Sequence, residues 1–149
     1  MLIDLKELKN NTITRENFYF LIIILFIFGL DRYSKNQIIM NFSDGAYYIN
    51  DFINFDLIWN TGIGFGLLSS NSILFYNLIS GIIASVIIFL IIFAMRSDKF
   101  DKFNFSIIIG GAIGNFYDRI TLNAVPDFID LHYLEFHWFT FNFADIFVT

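Results

Sequence analysis

The sequence has 149 residues, of which 56% are hydrophobic and 15% charged, whereas about a quarter of a soluble domain is charged. That balance excludes an ordinary soluble globule and leaves room for three or four membrane-spanning helices in a single domain. The net charge of −5, with nine Lys and Arg in small clusters, offers no basic face for nucleic acid. With no cysteine, a disulfide framework, a thiol nucleophile and a Cys-ligated metal are also excluded.

In chain order, Lys6, Lys9 and Arg15 precede an apolar run from Phe18 to Leu30. A basic segment before an apolar core is the pattern of a signal peptide, yet Gly29-Leu30-Asp31-Arg32 offers no small-residue cleavage site. An uncleaved first helix over about 16–40 is therefore expected. Asp31 and Lys35 then stand one turn apart on one helical face, where they can neutralise each other near the bilayer edge.

From Asn41 to Asn60 the texture changes to turn residues and near alternation. Ile53, Phe55, Leu57 and Trp59 are expected on one face and Asn54, Asp56 and Asn60 on the other, as a half-buried strand or short hairpin outside the bilayer core. Asn60 to Gly66, with its three glycines, is expected to loop back into the membrane. A second helix follows over about 70–95, uncharged until Arg96. Arg96, Lys99 and Lys102, mixed with Asp98 and Asp101, read as a short basic turn before a third helix over about 103–121. In that helix Gly110, Gly111 and Gly114 permit a close neighbour. The basic clusters place the amino terminus and the 96–102 turn in the cytoplasm, so the polar stretches 41–60 and 120–141 share the outer side. Asp31, Asn60, Arg119, Asp127 and Asp145 then gather at one membrane face.

Carboxylates in such apolar sequence are costly and mark function. Two of them at a partly dry site drive their pKa values apart, so that one keeps a proton while the other deprotonates water. Such a pair hydrolyses a peptide bond with neither a covalent intermediate nor a metal. Asp127, after Val125-Pro126, and Asp145, expected near the start of a helix at about 143, are candidates. The competing account makes them helix caps or solvated carboxylates. Asp118-Arg119 reads as a local ion pair. Ser34 and Lys35 are adjacent and point apart on a helix, against a Ser/Lys dyad. His132 and His137, in what reads as an aromatic loop, miss the helical metal spacing, so no metal is expected.

Four motifs together resemble the lipoprotein signal peptidases, also called signal peptidase II, a family of bacterial aspartic membrane proteases. They are Asp31-Arg-Tyr-Ser-Lys35, Asn60-Thr-Gly-Ile-Gly-Phe65, Gly110-Gly-Ala-Ile-Gly-Asn115-Phe-Tyr-Asp-Arg119 with Val125-Pro-Asp127-Phe, and Phe141-Asn-Phe-Ala-Asp145. The resemblance implies Asp127 and Asp145 as the catalytic pair, supported by Asp31, Lys35, Asn60, Gly62, Asn115, Arg119 and Asn142. It implies an all-α membrane protein, a bundle of four transmembrane helices with a small extracytoplasmic β-element, in the bacterial inner membrane with its site near the outer face. The implied substrate is a diacylglyceryl-modified prolipoprotein cut before its lipidated cysteine; membrane lipids are partners, no cofactor is needed and a monomer is expected. The family pattern runs on into a fourth spanning helix, whereas the sequence given stops at Thr149, so a shortened fourth helix is expected, and with it reduced activity. A remnant that binds lipid-modified chains without cutting them, and a small membrane transporter component, are the alternative readings.

Overall fold

The computed structural model describes residues 15–62 and 73–149. Helix α1 (Arg15–Asn41) leads into a hairpin of β1 (Tyr47–Asn50) and β2 (Ile53–Asn60). Helices α2 (Ile73–Arg96) and α3 (Lys99–Thr121) follow, then a second hairpin of β3 (Val125–Tyr133) and β4 (Phe136–Phe141), and the short helix α4 (Phe143–Val148). Of the expected re-entrant loop Asn60 to Gly66, Asn60 is the last residue of β2, and residues 63–66 lie outside the described residues.

Among the described residues, α1 and the Leu74–Arg96 part of α2 are long and apolar enough to cross a membrane. Their apolar side chains are largely uncovered: Phe18, Leu25 and Phe26 on α1, Leu78, Ile82 and Phe89 on α2 are all exposed. A soluble protein would bury this surface; in a bilayer it is the face that meets lipid. α3 begins four residues earlier than the sequence suggested, and only Ser97 and Asp98 separate it from α2. The cause is Asp98, whose side chain accepts the Asp101 N–H at 3.0 Å as an N-cap, so Lys99 to Lys102 form a first helical turn and not a connecting loop.

α3 is the central helix, packed against α1, α2 and α4. Its glycines permit this. A Cβ on Gly110 would lie 2.7 Å from the Ile27 Cβ of α1, one on Gly111 would lie 2.7 Å from the Ala144 carbonyl of α4, and one on Gly114 would run into the Asp31 carboxylate. The three positions thus serve two different neighbours, on two sides of one helix.

The strands form one antiparallel sheet in the order β1-β2-β3-β4. The first hairpin turns on Asn50, whose side chain accepts the N–H groups of Phe52 and Ile53 at 2.9 and 3.0 Å. The register of β2 against β3 shifts by one residue between Phe55 and Ile58. Because side chains alternate with a period of two, this bulge exchanges the faces of the residues beyond it. Trp59 is exposed and Asn60 buried, the reverse of what unbroken alternation predicts. Residues 125–141, expected as a polar and aromatic loop, are the second hairpin. Pro126 is accommodated near the start of β3, where the pairing with β4 has not yet begun; that pairing starts at Ile129 with Phe141.

Candidate active site

Three chain ends meet beside α3: the last residue of β2, the first residues of β3, and the junction of β4 with α4. Asn60 is directly opposite Val125, which brings its amide to Asp127 two residues on. Asn142 ends the β4 strand and caps α4. Its side chain accepts the Asp145 N–H at 3.2 Å, and the Asp145 carboxylate accepts the Asn142 N–H at 3.0 Å. This reciprocal capping box fixes the turn between strand and helix.

Asp127 is 3% exposed. Its Oδ2 accepts the Asn60 amide at 2.8 Å and its Oδ1 the Asn142 amide at 2.6 Å. Asp145 accepts, besides the Asn142 N–H, the Asn115 amide at 2.8 Å. Asn60, Asn115, Arg119, Asp127, Asn142 and Asp145 line one cavity of about 170 Å³. Burial pushes the Asp127 carboxyl up to about 6, and the neighbouring Asp145 carboxylate adds to the rise; the amides of Asn142 and Asn60 pull the other way. Burial raises the Asp145 carboxyl as well, against the pull of the Asn142 N–H and the Asn115 amide, and neighbouring acids raised in this way at one cavity can share a proton.

Gly62 and Arg119 close one side. The Gly62 N–H donates to Asn60 Oδ1 at 2.8 Å, and Arg119 Nη2 donates to the Gly62 carbonyl at 2.5 Å. Arg119 is 5% exposed, and its Nε and Nη1 have no hydrogen-bond partner among the described residues.

Asp31 and Lys35 lie behind the pair, both fully buried. They do form the ion pair their spacing suggested, but not as an isolated one at a helix end. The Lys35 ammonium also donates to Asp118 at 2.7 Å and to Asn115 at 2.8 Å. Arg32 reaches Asp118 at 2.5 and 2.7 Å and Asp31 at 3.1 Å. Asp118 is therefore not the local partner of Arg119: it faces α1, and Arg119 faces Gly62. The network holds two carboxylates and two cations, so its formal charges cancel. It is tied to the pair at two points: Asn115 bridges Lys35 and Asp145, and Asp31 Oδ1 accepts the Ala144 N–H of α4 at 3.1 Å.

All nine residues singled out in the sequence meet in this region. Arg32 belongs to it too and was not singled out, and Asp118, read from the sequence only as a local partner of Arg119, belongs to it through Arg32 and Lys35. Adjacent residues on one helix point apart, yet the long Arg32 side chain bends back to Asp31. The one available signal for Asp118 was its charge inside an apolar helix. His132 and His137 lie outside this cavity, directly opposite each other on β3 and β4 and not in a loop.

A family model described as signal peptidase (SPase) II matches residues 23–149 of this chain. The lipoprotein signal peptidase of Pelagibacter ubique (strain HTCC1062) is 48% identical over 143 residues, covering 93% of this chain and 86% of that protein. That of Francisella tularensis subsp. novicida (strain U112) is 39% identical over 137 residues, covering 88% and 84%. A solved bacterial membrane enzyme, determined by the in meso method at 2.3 Å, superposes with a TM-score of 0.71 at 28% identity, covering 87% of this chain and 80% of that one. A second, at 1.9 Å, gives 0.69 at 26% identity, covering 87% and 84%. Likeness in sequence and in fold thus extends over the segments that build the cavity, and by it the chain belongs to the signal peptidase II family.

Proposed function

We propose that this chain is a membrane aspartic endopeptidase that removes the signal peptide from diacylglyceryl-modified prolipoproteins, cutting before the lipidated cysteine. The observation that carries this reading is the lining of one cavity by Asp127 and Asp145, each carboxylate oriented by two hydrogen-bond donors. Asp127, the more buried, holds the proton, and Asp145 is ionised. A water between them loses a proton to Asp145 as its oxygen attacks the scissile carbonyl carbon, while Asp127 gives its proton to the carbonyl oxygen. As the tetrahedral intermediate collapses, the carbon–nitrogen bond breaks and the proton on Asp145 passes to the departing amine. The remaining hydroxyl proton returns to Asp127, restoring the pair.

The unpartnered donors of Arg119, on the cavity wall, suit a substrate carbonyl or a lipid phosphate. Asp31, Lys35 and Asn115 act through position, holding Asp145 against the cavity. The family resemblance and the length of α3 support a bundle in which α1, α2 and α3 cross the inner membrane and α4 opens a fourth crossing. The amino terminus is then cytoplasmic, the sheet is at the outer face and the working unit is a monomer.

The test is cleavage by purified protein of one prolipoprotein with and without its diacylglyceryl group. Cleavage only of the modified form, lost in Asp127→Asn, is the expected result. Equal cleavage of both forms would overturn the substrate assignment, and undiminished cleavage by Asp127→Asn the mechanism.

A further inference from the structure

On the outer part of the sheet, away from the cavity, Asp130 and His132 of β3 lie beside His137 of β4. One ligand atom from each residue can be chosen so that all are within 4.8 Å of one another. We propose that Asp130, His132 and His137 form a binding site for a divalent transition metal ion, of which Zn²⁺ is the type, that fastens the β3–β4 hairpin.

Sequence spacing alone argued against a metal here, because two histidines five apart do not share a helical face. On paired strands the rule differs. The turn at Leu134 and Glu135 folds the chain so that His132 and His137 are directly opposed, and residues two apart on a strand, such as Asp130 and His132, share a face. The imidazoles stack 5.2 Å apart at 23°. The His137 Nδ1 is 2.7 Å from Asp130 Oδ2, and the His132 Nδ1 is 3.7 Å from the same oxygen.

The second observation is that His132 Nδ1 is a buried nitrogen with no hydrogen-bond partner among the described residues, in a side chain 9% exposed. An unsatisfied buried polar atom is destabilising unless something pairs with it. A carboxylate oxygen already engaged by His137 stands just beyond hydrogen-bond distance. A cation held among the three satisfies all of them together. Metal–ligand bonds of 2.0–2.1 Å in tetrahedral geometry set adjacent donors roughly 3.3 Å apart. Around that spacing the His137–Asp130 contact, at 2.7 Å, must open and the His132–Asp130 contact, at 3.7 Å, must shorten, a rearrangement open to His137, whose side chain is 55% exposed. That exposure also leaves a fourth position open to water. Two imidazoles and one carboxylate select zinc, cobalt, nickel or copper over magnesium or calcium. On binding, the His137 imidazole carries its proton on the other ring nitrogen, Nε2, which frees Nδ1 to ligate the ion. Asp130 is three residues beyond Asp127, and β4 runs on into Asn142. The ion would thus brace both strands that orient the cavity, without touching it.

The experiment is a titration of the detergent-purified, chelator-stripped protein with Zn²⁺, and with Co²⁺ as a coloured probe. One equivalent of Zn²⁺ is expected to bind, and Co²⁺ to give the visible bands of a four-coordinate ion. His137→Ala, at a solvent-facing position, and Asp130→Asn are each expected to weaken binding at least about tenfold, whereas Asp127→Asn leaves it unchanged. Absence of stoichiometric binding, or binding undiminished in His137→Ala and Asp130→Asn, would overturn the proposal. Binding lost in Asp127→Asn but kept in the hairpin variants would instead put the ion in the cavity, which also overturns it.

Discussion

At the scale of single residues, the proposed chemistry depends on one proton held near Asp127. Its carboxyl is raised from 3.8 to about 6, so between those values the folded state binds more protons than the unfolded one. Stability therefore falls as pH rises from about 4 to about 6, and this fall is absent from Asp127→Asn. Unfolding midpoints of the two proteins across that range check the sign. The same proton sets the activity: kcat/KM is expected to decline as pH rises through about 6, when the pair loses it. A pH–rate profile on modified prolipoprotein reads this limb. Behind the pair, Lys35→Met would leave the buried Asp31 and Asp118 carboxylates with Arg32 alone. Removing one partner of a buried ion network costs about 3–5 kcal/mol, to be seen as a lowered unfolding midpoint. The conservative Lys35→Arg is no rescue, because a planar guanidinium does not fit where a compact ammonium meets three acceptors. The sequence revealed Asp31 and Lys35 because they share a helical face. It concealed their link to Asp118, 83 residues away from Lys35, because nothing local connects them.

At the scale of elements, α3 determines where Asp145 lies. Gly111 is in contact with the Ala144 carbonyl, so a methyl group there must push α4 away, and catalytic geometry tolerates only about half an ångström of displacement. Gly111→Ala is expected to lower kcat for lipoprotein cleavage at least about tenfold. Gly81→Ala on α2, where an added Cβ meets nothing within 4 Å, serves as the control that leaves kcat unchanged. The helices were legible because a long apolar run has few other solutions. The first hairpin was legible through its alternation, but only as far as the bulge after Phe55, which nothing in the sequence marks. The second hairpin was not legible for two physical reasons. β3 is buried on both faces over most of its length, which removes the polar–apolar alternation that identifies a half-exposed strand. Its turn carries Leu134 at φ 53°, a conformation that usually announces itself with glycine or asparagine.

At the scale of the whole molecule, the topology proposed here, with the sheet at the outer membrane face and the helices within the bilayer, would account for the gathering of the polar groups at one end. This arrangement yields a topology that can be tested directly, because the chain has no cysteine. Cysteines introduced singly at Asp51, in the first hairpin, and at Ser97, between α2 and α3, are expected on opposite sides of the membrane. A membrane-impermeant maleimide applied to intact cells should label Asp51→Cys and not Ser97→Cys. The reverse pattern would invert the orientation that the basic residues Arg96, Lys99 and Lys102 imply. The location of the cavity was legible in outline, since charge asymmetry and span lengths alone bring Asn60, Arg119, Asp127 and Asp145 to one face. The pairing of Asn60 with Asp127 was not, because it depends on β2 and β3 being neighbours across 67 residues of chain.

The most direct test of the central claim is a double-mutant cycle on Asp127 and Asp145. Carboxylates that act on one water as a unit are lost as a unit. Asp127→Asn and Asp145→Asn are each expected to lower kcat/KM for diacylglyceryl-modified prolipoprotein at least about a thousandfold, and the double variant to be no slower than either. Near-normal cleavage by either single variant, or losses that multiply in the double variant, would contradict a shared-proton pair.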